Sequence, residues 1–173
     1  MIQVNLKRKW GNRSTVRGIL DIPDYGFKCY TLELKESKSQ FKNNCCVDSG
    51  VYELTNGFAE GSVFFPKFRH RVAGFPLRPR FDLQNLDYSK LSTGMIAVGY
   101  KKDEFSLSTT YDFQEAFKKV FEEIFEKRQP VFLNIYKGKN YEFTEVAYED
   151  ENNFALDLVD EADDDDERKG ATP

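Results

Sequence analysis

Nucleophilic chemistry in this sequence would have to come from three cysteines, Cys29, Cys45 and Cys46, and a single histidine, His70. A thiol attacks a carbonyl only as thiolate, and a nearby imidazole is the usual means of removing its proton. His70 sits in "KFRHRVAGF", so the fold would have to bring it to a cysteine. The plainer expectation is three reduced thiols and a partly exposed imidazole among arginines. Cys45 and Cys46 are adjacent, can bridge each other only with strain, and are expected on opposite faces of a strand end. No cysteine spacing suits a metal, there is no phosphate-binding glycine loop and no "GxSxG", so neither cofactor nor metal is expected. Glu33, in "CYTLE", is the carboxylate best placed to face a site, whereas Glu122 and Glu123 read as surface charge.

A second chemistry is binding. The stretch "PKFRHRVAGFPLRPRF" interleaves Lys67, Arg69, Arg71, Arg78 and Arg80 with Phe68, Phe75 and Phe81. Guanidinium forks suit carboxylates and phosphates, and aromatic faces suit apolar surface or nucleobases. Lys67, Phe68, Arg69, Arg71, Arg78, Arg80 and Phe81 are therefore the expected binding residues, within a contact surface spanning 64–81. A protein partner, including another copy of the chain, is the leading expectation. Nucleic acid ranks behind it, because no nucleic-acid motif is present. A solvated loop anchored to the core by its phenylalanines is the bland alternative. The irregular region 58–90 is long for an idle connection.

The elements that must position these residues are mostly strands. "IQVNLKRKW" alternates Ile2, Val4 and Leu6 against Gln3, Asn5 and Lys7, the pattern of a half-buried strand. "STVRGILDI", "FKCYTLELK" and "GVYELTNG" continue in the same manner, with turn residues between them. In the third strand Phe27, Cys29, Thr31 and Glu33 share one face. "GMIAVGY" is a continuous apolar run and predicts a central strand buried on both faces. The period then changes: Phe113, Ala116, Phe117, Val120, Phe121, Ile124 and Phe125 form a helical stripe. Thr109 with Asp112, or Asp112 with Glu115, could cap that helix. Pro130 ends it, "VFLNIYKG" returns as a strand, and the stretch beyond Lys139 begins as a candidate last strand before turning polar. The fold class is mainly β (α+β): a compact sheet or barrel-like domain with one packed amphipathic helix.

Length and charge agree with one domain and a tail. The expected boundaries are 1–148 for the mainly β domain and 149–173 for an acidic tail, expected to be disordered. Residues 149–173 hold 11 of the 29 acids, which leaves the body formally at +5 although the chain is at −4. No run is apolar enough for a membrane span and the N-terminus resembles no signal peptide, so folding in the cytoplasm, away from membranes, is expected.

With these elements placed, the chain resembles an uncharacterised domain family of bacteria and their phages. The likeness covers about residues 1–136 and rests on "CYTLE" at Cys29–Glu33, "VDSGVYEL" at Val47–Leu54, "VAGF" at Val72–Phe75 and "TGMIAVG" at Thr93–Gly99. The family's His-x-Gly-Asn and Gly-Cys motifs are similar to the catalytic signature of L,D-transpeptidases, in which a thiolate attacks a peptide carbonyl. Here Met95 stands in place of that cysteine, and "RPRFDLQN" offers no imidazole. A thioether cannot be deprotonated to a nucleophile. The resemblance thus implies a degenerate active site at Met95 and a non-catalytic binding or assembly module, in the manner of a phage, prophage or virion structural protein. The alternatives are a peptidoglycan-processing enzyme with another nucleophile and a nucleic-acid-associated protein.

Overall fold

The computed structural model describes residues 1–37, 44–54, 66–67, 79–84, 86–103 and 105–145. Strand β1 (Ile2–Gly11) buries Ile2, Val4 and Leu6 on one face, as its alternation requires. Asn12 makes the turn: its Oδ1 accepts from the backbone N–H of Ser14 at 2.8 Å and of Thr15 at 2.7 Å. Strand β2 (Thr15–Ile22) returns antiparallel, and a turn with Gly26 at φ 60° leads into β3 (Phe27–Leu34). There follow β4 (Gly50–Leu54), β5 (Pro66–Lys67), β6 (Arg80–Asp82), β7 (Leu86–Asp87), β8 (Met95–Lys101) and β9 (Ser106–Ser108). Helix α1 (Tyr111–Glu126) and the long β10 (Val131–Phe143) complete the order.

The strands form a single sheet in the order β5-β4-β10-β1-β2-β3-β8-β9-β7, with β6 against β8. The architecture is mainly β with one helix, as the patterning implies. The barrel-like option does not hold, because the sheet is not closed. It ends in β5 and β7, two residues each, and these do not pair with each other. The region beyond Glu145, including the expected tail, lies outside the described residues.

The first and last described strands are neighbours: β10 runs parallel to β1, pairing Ile2 with Val131 and Gly11 with Phe143. Sequence patterning separates residues 131–138 from anything after Lys139, but β10 continues unbroken to Phe143. It does so because β1 is still there to pair with, beyond a register shift between Arg8 and Trp10. Gly18 allows the close approach of β2 to β1 here, since a Cβ on it would stand 2.6 Å from the Lys7 carbonyl oxygen.

Helix α1 buries Phe113, Phe117, Phe121 and Ile124 against the sheet. Phe117 and Phe121 lie 4.8 Å apart by ring centroids, and each is 5.7 Å from Phe81. The stripe is narrower than its periodicity implies: Ala116 is exposed, and Val120 and Phe125 are half-buried at its margins. The cap also differs from both expected pairs. Thr110 is the N-cap, its Oγ1 accepting from the Phe113 N–H at 3.2 Å. Thr109 instead donates to the Leu83 carbonyl at 2.9 Å. On the opposite face of the sheet, Leu32, Met95, Ala97 and Leu107 form a small second cluster. Strand β8 is thereby buried on both faces, as its uninterrupted apolar run predicts.

Candidate functional site

Two charges are folded into the inward face of the sheet. Arg8 follows Ile2, Val4 and Leu6 in phase on β1, and Glu33 follows Cys29 and Thr31 in phase on β3. Alternation therefore turns both side chains inward, where Arg8 is 1% exposed and Glu33 0%. They meet as a two-pronged pair: Arg8 Nε donates to Glu33 Oε2 at 2.9 Å, and Nη2 donates to Oε1 at 2.7 Å. Arg8 Nη2 also donates to the Val47 carbonyl at 2.7 Å. Burial alone would lower the pKa of Arg8, but the charge and hydrogen bonds of Glu33 more than reverse that, so the guanidinium is held charged.

The pair fastens the segment ahead of β4 to the sheet. The Cys46 N–H donates to the Lys35 carbonyl at 3.0 Å, the Gly94 N–H to the Cys45 carbonyl at 3.3 Å, and the Asn44 N–H to Thr93 Oγ1 at 2.9 Å. Cys45 and Cys46 are thus buried in a connecting segment, not on the two faces of a strand end. Where this segment crosses the sheet it leaves an open depression of about 220 Å³. Arg8, Cys46 and Val47 line it, together with Glu36, Lys137 and Asp48, and the hydroxyl residues Ser37 and Ser49. Lys137 reaches Glu36 at 2.8 Å and lies 4.7 Å over the Tyr141 ring. The Tyr52 hydroxyl donates to the Asp48 carbonyl at 2.6 Å.

The chemistry of this depression is set by its protons. Burial pushes the Cys46 thiol up to about 12, with the Glu33 carboxylate adding to the rise. Cys29 is likewise pushed up to about 12 by burial. Burial also raises the Tyr52 and Tyr141 hydroxyls to about 12. Of these groups only the Cys46 thiol lines the depression, beside the Arg8–Glu33 ion pair. The direction of its shift favours the thiol over the thiolate that would attack a carbonyl. Among the described residues no group of three or more His, Cys, Asp and Glu side chains could hold a metal ion.

The residues singled out in the sequence are dispersed. Phe81, expected on a contact surface, is 1% exposed and belongs to the core, because alternation on β6 turns it toward α1. Its neighbour Arg80 is half-buried, and its guanidinium donates to Ser92 Oγ. Lys67 lies in β5, in register with Glu53. Phe68, Arg69, His70, Arg71, Phe75 and Arg78 lie outside the described residues. Met95 pairs in register with Arg80, and its side chain packs in the second cluster beside Leu32 and Ala97. Glu33 is fully buried as the partner of Arg8 and does not itself line the depression. Arg8 is the residue that sequence reading missed. Its signal was a charge in phase with three buried aliphatics, matched by an opposite charge in phase on another strand.

Among the described residues no helix is long and apolar enough to cross a membrane. Comparison with known proteins brings in no relative: no family model matches the chain, and neither does any curated protein or solved structure.

Proposed function

We propose that this protein is a non-catalytic binding or assembly module, of the kind expected for a phage- or prophage-associated structural protein descended from a transpeptidase-like domain. One observation carries the non-catalytic part of the reading. Cys46, the cysteine that lines the open depression, is pushed up to about 12 by burial and by Glu33, against the direction a nucleophile needs. Met95, at the position where the resembled family keeps its cysteine, is a packed thioether. What remains is a set of polar groups beside a buried ion pair, an arrangement suited to holding a ligand or a partner.

The test is chemical. In the native protein at neutral pH, iodoacetamide should label Cys29 and Cys46 far more slowly than in the urea-unfolded chain. Labelling should accelerate as the pH rises toward 12. Rapid native labelling of Cys46, together with muropeptide cross-linking or cleavage that disappears in Cys46→Ser, would establish the enzyme instead.

A further inference from the structure

The face of the sheet turned away from α1 is open across its middle. Beyond the small cluster of Leu32, Met95, Ala97 and Leu107, ladder partners run across β10, β1, β2 and β3 as Tyr136, Lys7, Ile19 and Tyr30. Their neighbours along each strand are buried on the helix side, so alternation places these four side chains together on the outer face. Ile19 is half-buried, whereas Tyr136 is 38% and Tyr30 39% exposed. The two rings stand three strand spacings apart, roughly 14 Å. Among the described residues neither ring has a stacking partner.

Charge on this face is lopsided. Lys7 lies across β10, since a Cβ on Gly138 would stand 2.6 Å from its Cε, and no described residue pairs with its ammonium. At the β1 register shift, Lys9 and Arg17 sit over the Trp10 ring, 5.4 and 5.5 Å from its centroid. Asp21 is answered by Lys28 at 3.7 Å, and Glu53, further out, is in register with Lys67. Among the described residues of these strands, that leaves Glu142, opposite Trp10 in the ladder, to set against Lys7, Lys9 and Arg17.

A partner that matches this face must bring both flat rings and negative charge. An acidic protein would answer the lysines and leave the tyrosines idle, and a neutral glycan would do the reverse. Unpaired bases on a phosphate backbone answer both, because every base has a face to stack. A duplex keeps its bases stacked on one another, and this face presents no helix or ribbon to enter a groove.

We propose that this open face binds single-stranded nucleic acid, with bases stacked on Tyr30 and Tyr136 and phosphates held by Lys7 and Lys9. The sequence shows no motif for it because the face is assembled from several strands, with few residues from each. It lies on the other side of the sheet from Arg8 and the depression, so it gives the binding module a partner without depending on Cys46.

Fluorescence anisotropy of the full-length protein with labelled oligothymidine and oligouridine of roughly twelve nucleotides, at low salt, tests it. Saturable binding of at least one should weaken steeply as salt is added. Tyr30→Ala and Tyr136→Ala should each weaken it about tenfold, whereas Tyr30→Phe, which keeps the stacking face, should bind like the parent. Lys7→Gln should weaken it and lower the salt slope by about 0.7, the share of one phosphate contact on a single strand. Urea melts of the four variants check that each is folded. The proposal is overturned if neither oligomer binds, if the folded Tyr→Ala variants bind like the parent, or if a duplex of the same length or a neutral chitin oligomer binds as tightly. Failed binding alongside unreactive thiols removes this partner alone and leaves the non-catalytic reading in place.

Discussion

Arg8 and Glu33 show how far one residue's phase can decide its fate. Each is the third or fourth inward position of its strand, so neither can reach water without breaking the alternation that buries its neighbours. Once inside, each is tolerable only because of the other. Removing one partner of a buried pair leaves an uncompensated charge and costs on the order of 3–5 kcal/mol, while replacing both by apolar groups of similar volume is often neutral. Glu33→Ala should therefore lower the urea midpoint sharply. The double change Arg8→Met with Glu33→Leu should recover most of the loss, although the Val47 carbonyl then loses its donor. A double change no better than the single one would mean that the Val47 contact, and not the ion pair, carries the local stability.

The elements were legible in proportion to how strongly a single face demanded burial. Strands β1, β2, β3 and β8 and helix α1 announce themselves through alternation or the helical stripe, and their packing follows. The edge of the helix stripe was less legible: Ala116 satisfies the spacing but is too small to demand a place in the core, and it lies exposed. The cap was misread because a run of three candidate hydroxyls, Ser108, Thr109 and Thr110, leaves the choice to tertiary contacts. Leu83's carbonyl takes the Thr109 hydroxyl, and Thr110 is left to cap. Thr110→Ala should cost about 1 kcal/mol and Thr110→Gly only a few tenths, read from urea melts. Equal losses for the two would assign the effect to something other than the cap. The candidate site is half legible in the sequence: Glu33 stands in phase with buried positions of its strand, but its partner lies 25 residues earlier on a non-adjacent strand. Nothing local ties the two together.

At the scale of the whole molecule, what the patterns could not disclose is strand order. Period-2 alternation fixes which face of a strand is buried but says nothing of its neighbour, so the pairing of β1 with β10, the last described strand, is invisible to it. That pairing is parallel, runs without interruption from Ile2/Val131 to Arg8/Lys137, and resumes at Trp10/Glu142. The N-terminal ammonium adds a hydrogen bond to Gln129 Oε1 at 3.0 Å. Because β1 joins strands so distant in sequence, loop closure must precede most of its reward, and slow folding is expected of such topologies.

The same parallel ladder governs how the molecule responds to being pulled. The chain enters at the Ile2/Val131 end of the ladder and leaves it at the Gly11/Phe143 end, so tension on the two termini slides β1 along β10 and loads the rungs together. Handles at Met1 and Pro130 would instead peel the rungs apart one by one. Single-molecule stretching should therefore give a higher rupture force with handles at Met1 and Glu145 than at Met1 and Pro130, since forced unfolding follows the barrier to the first rupture. The arrangement makes this chain a mechanical clamp along its own end-to-end axis.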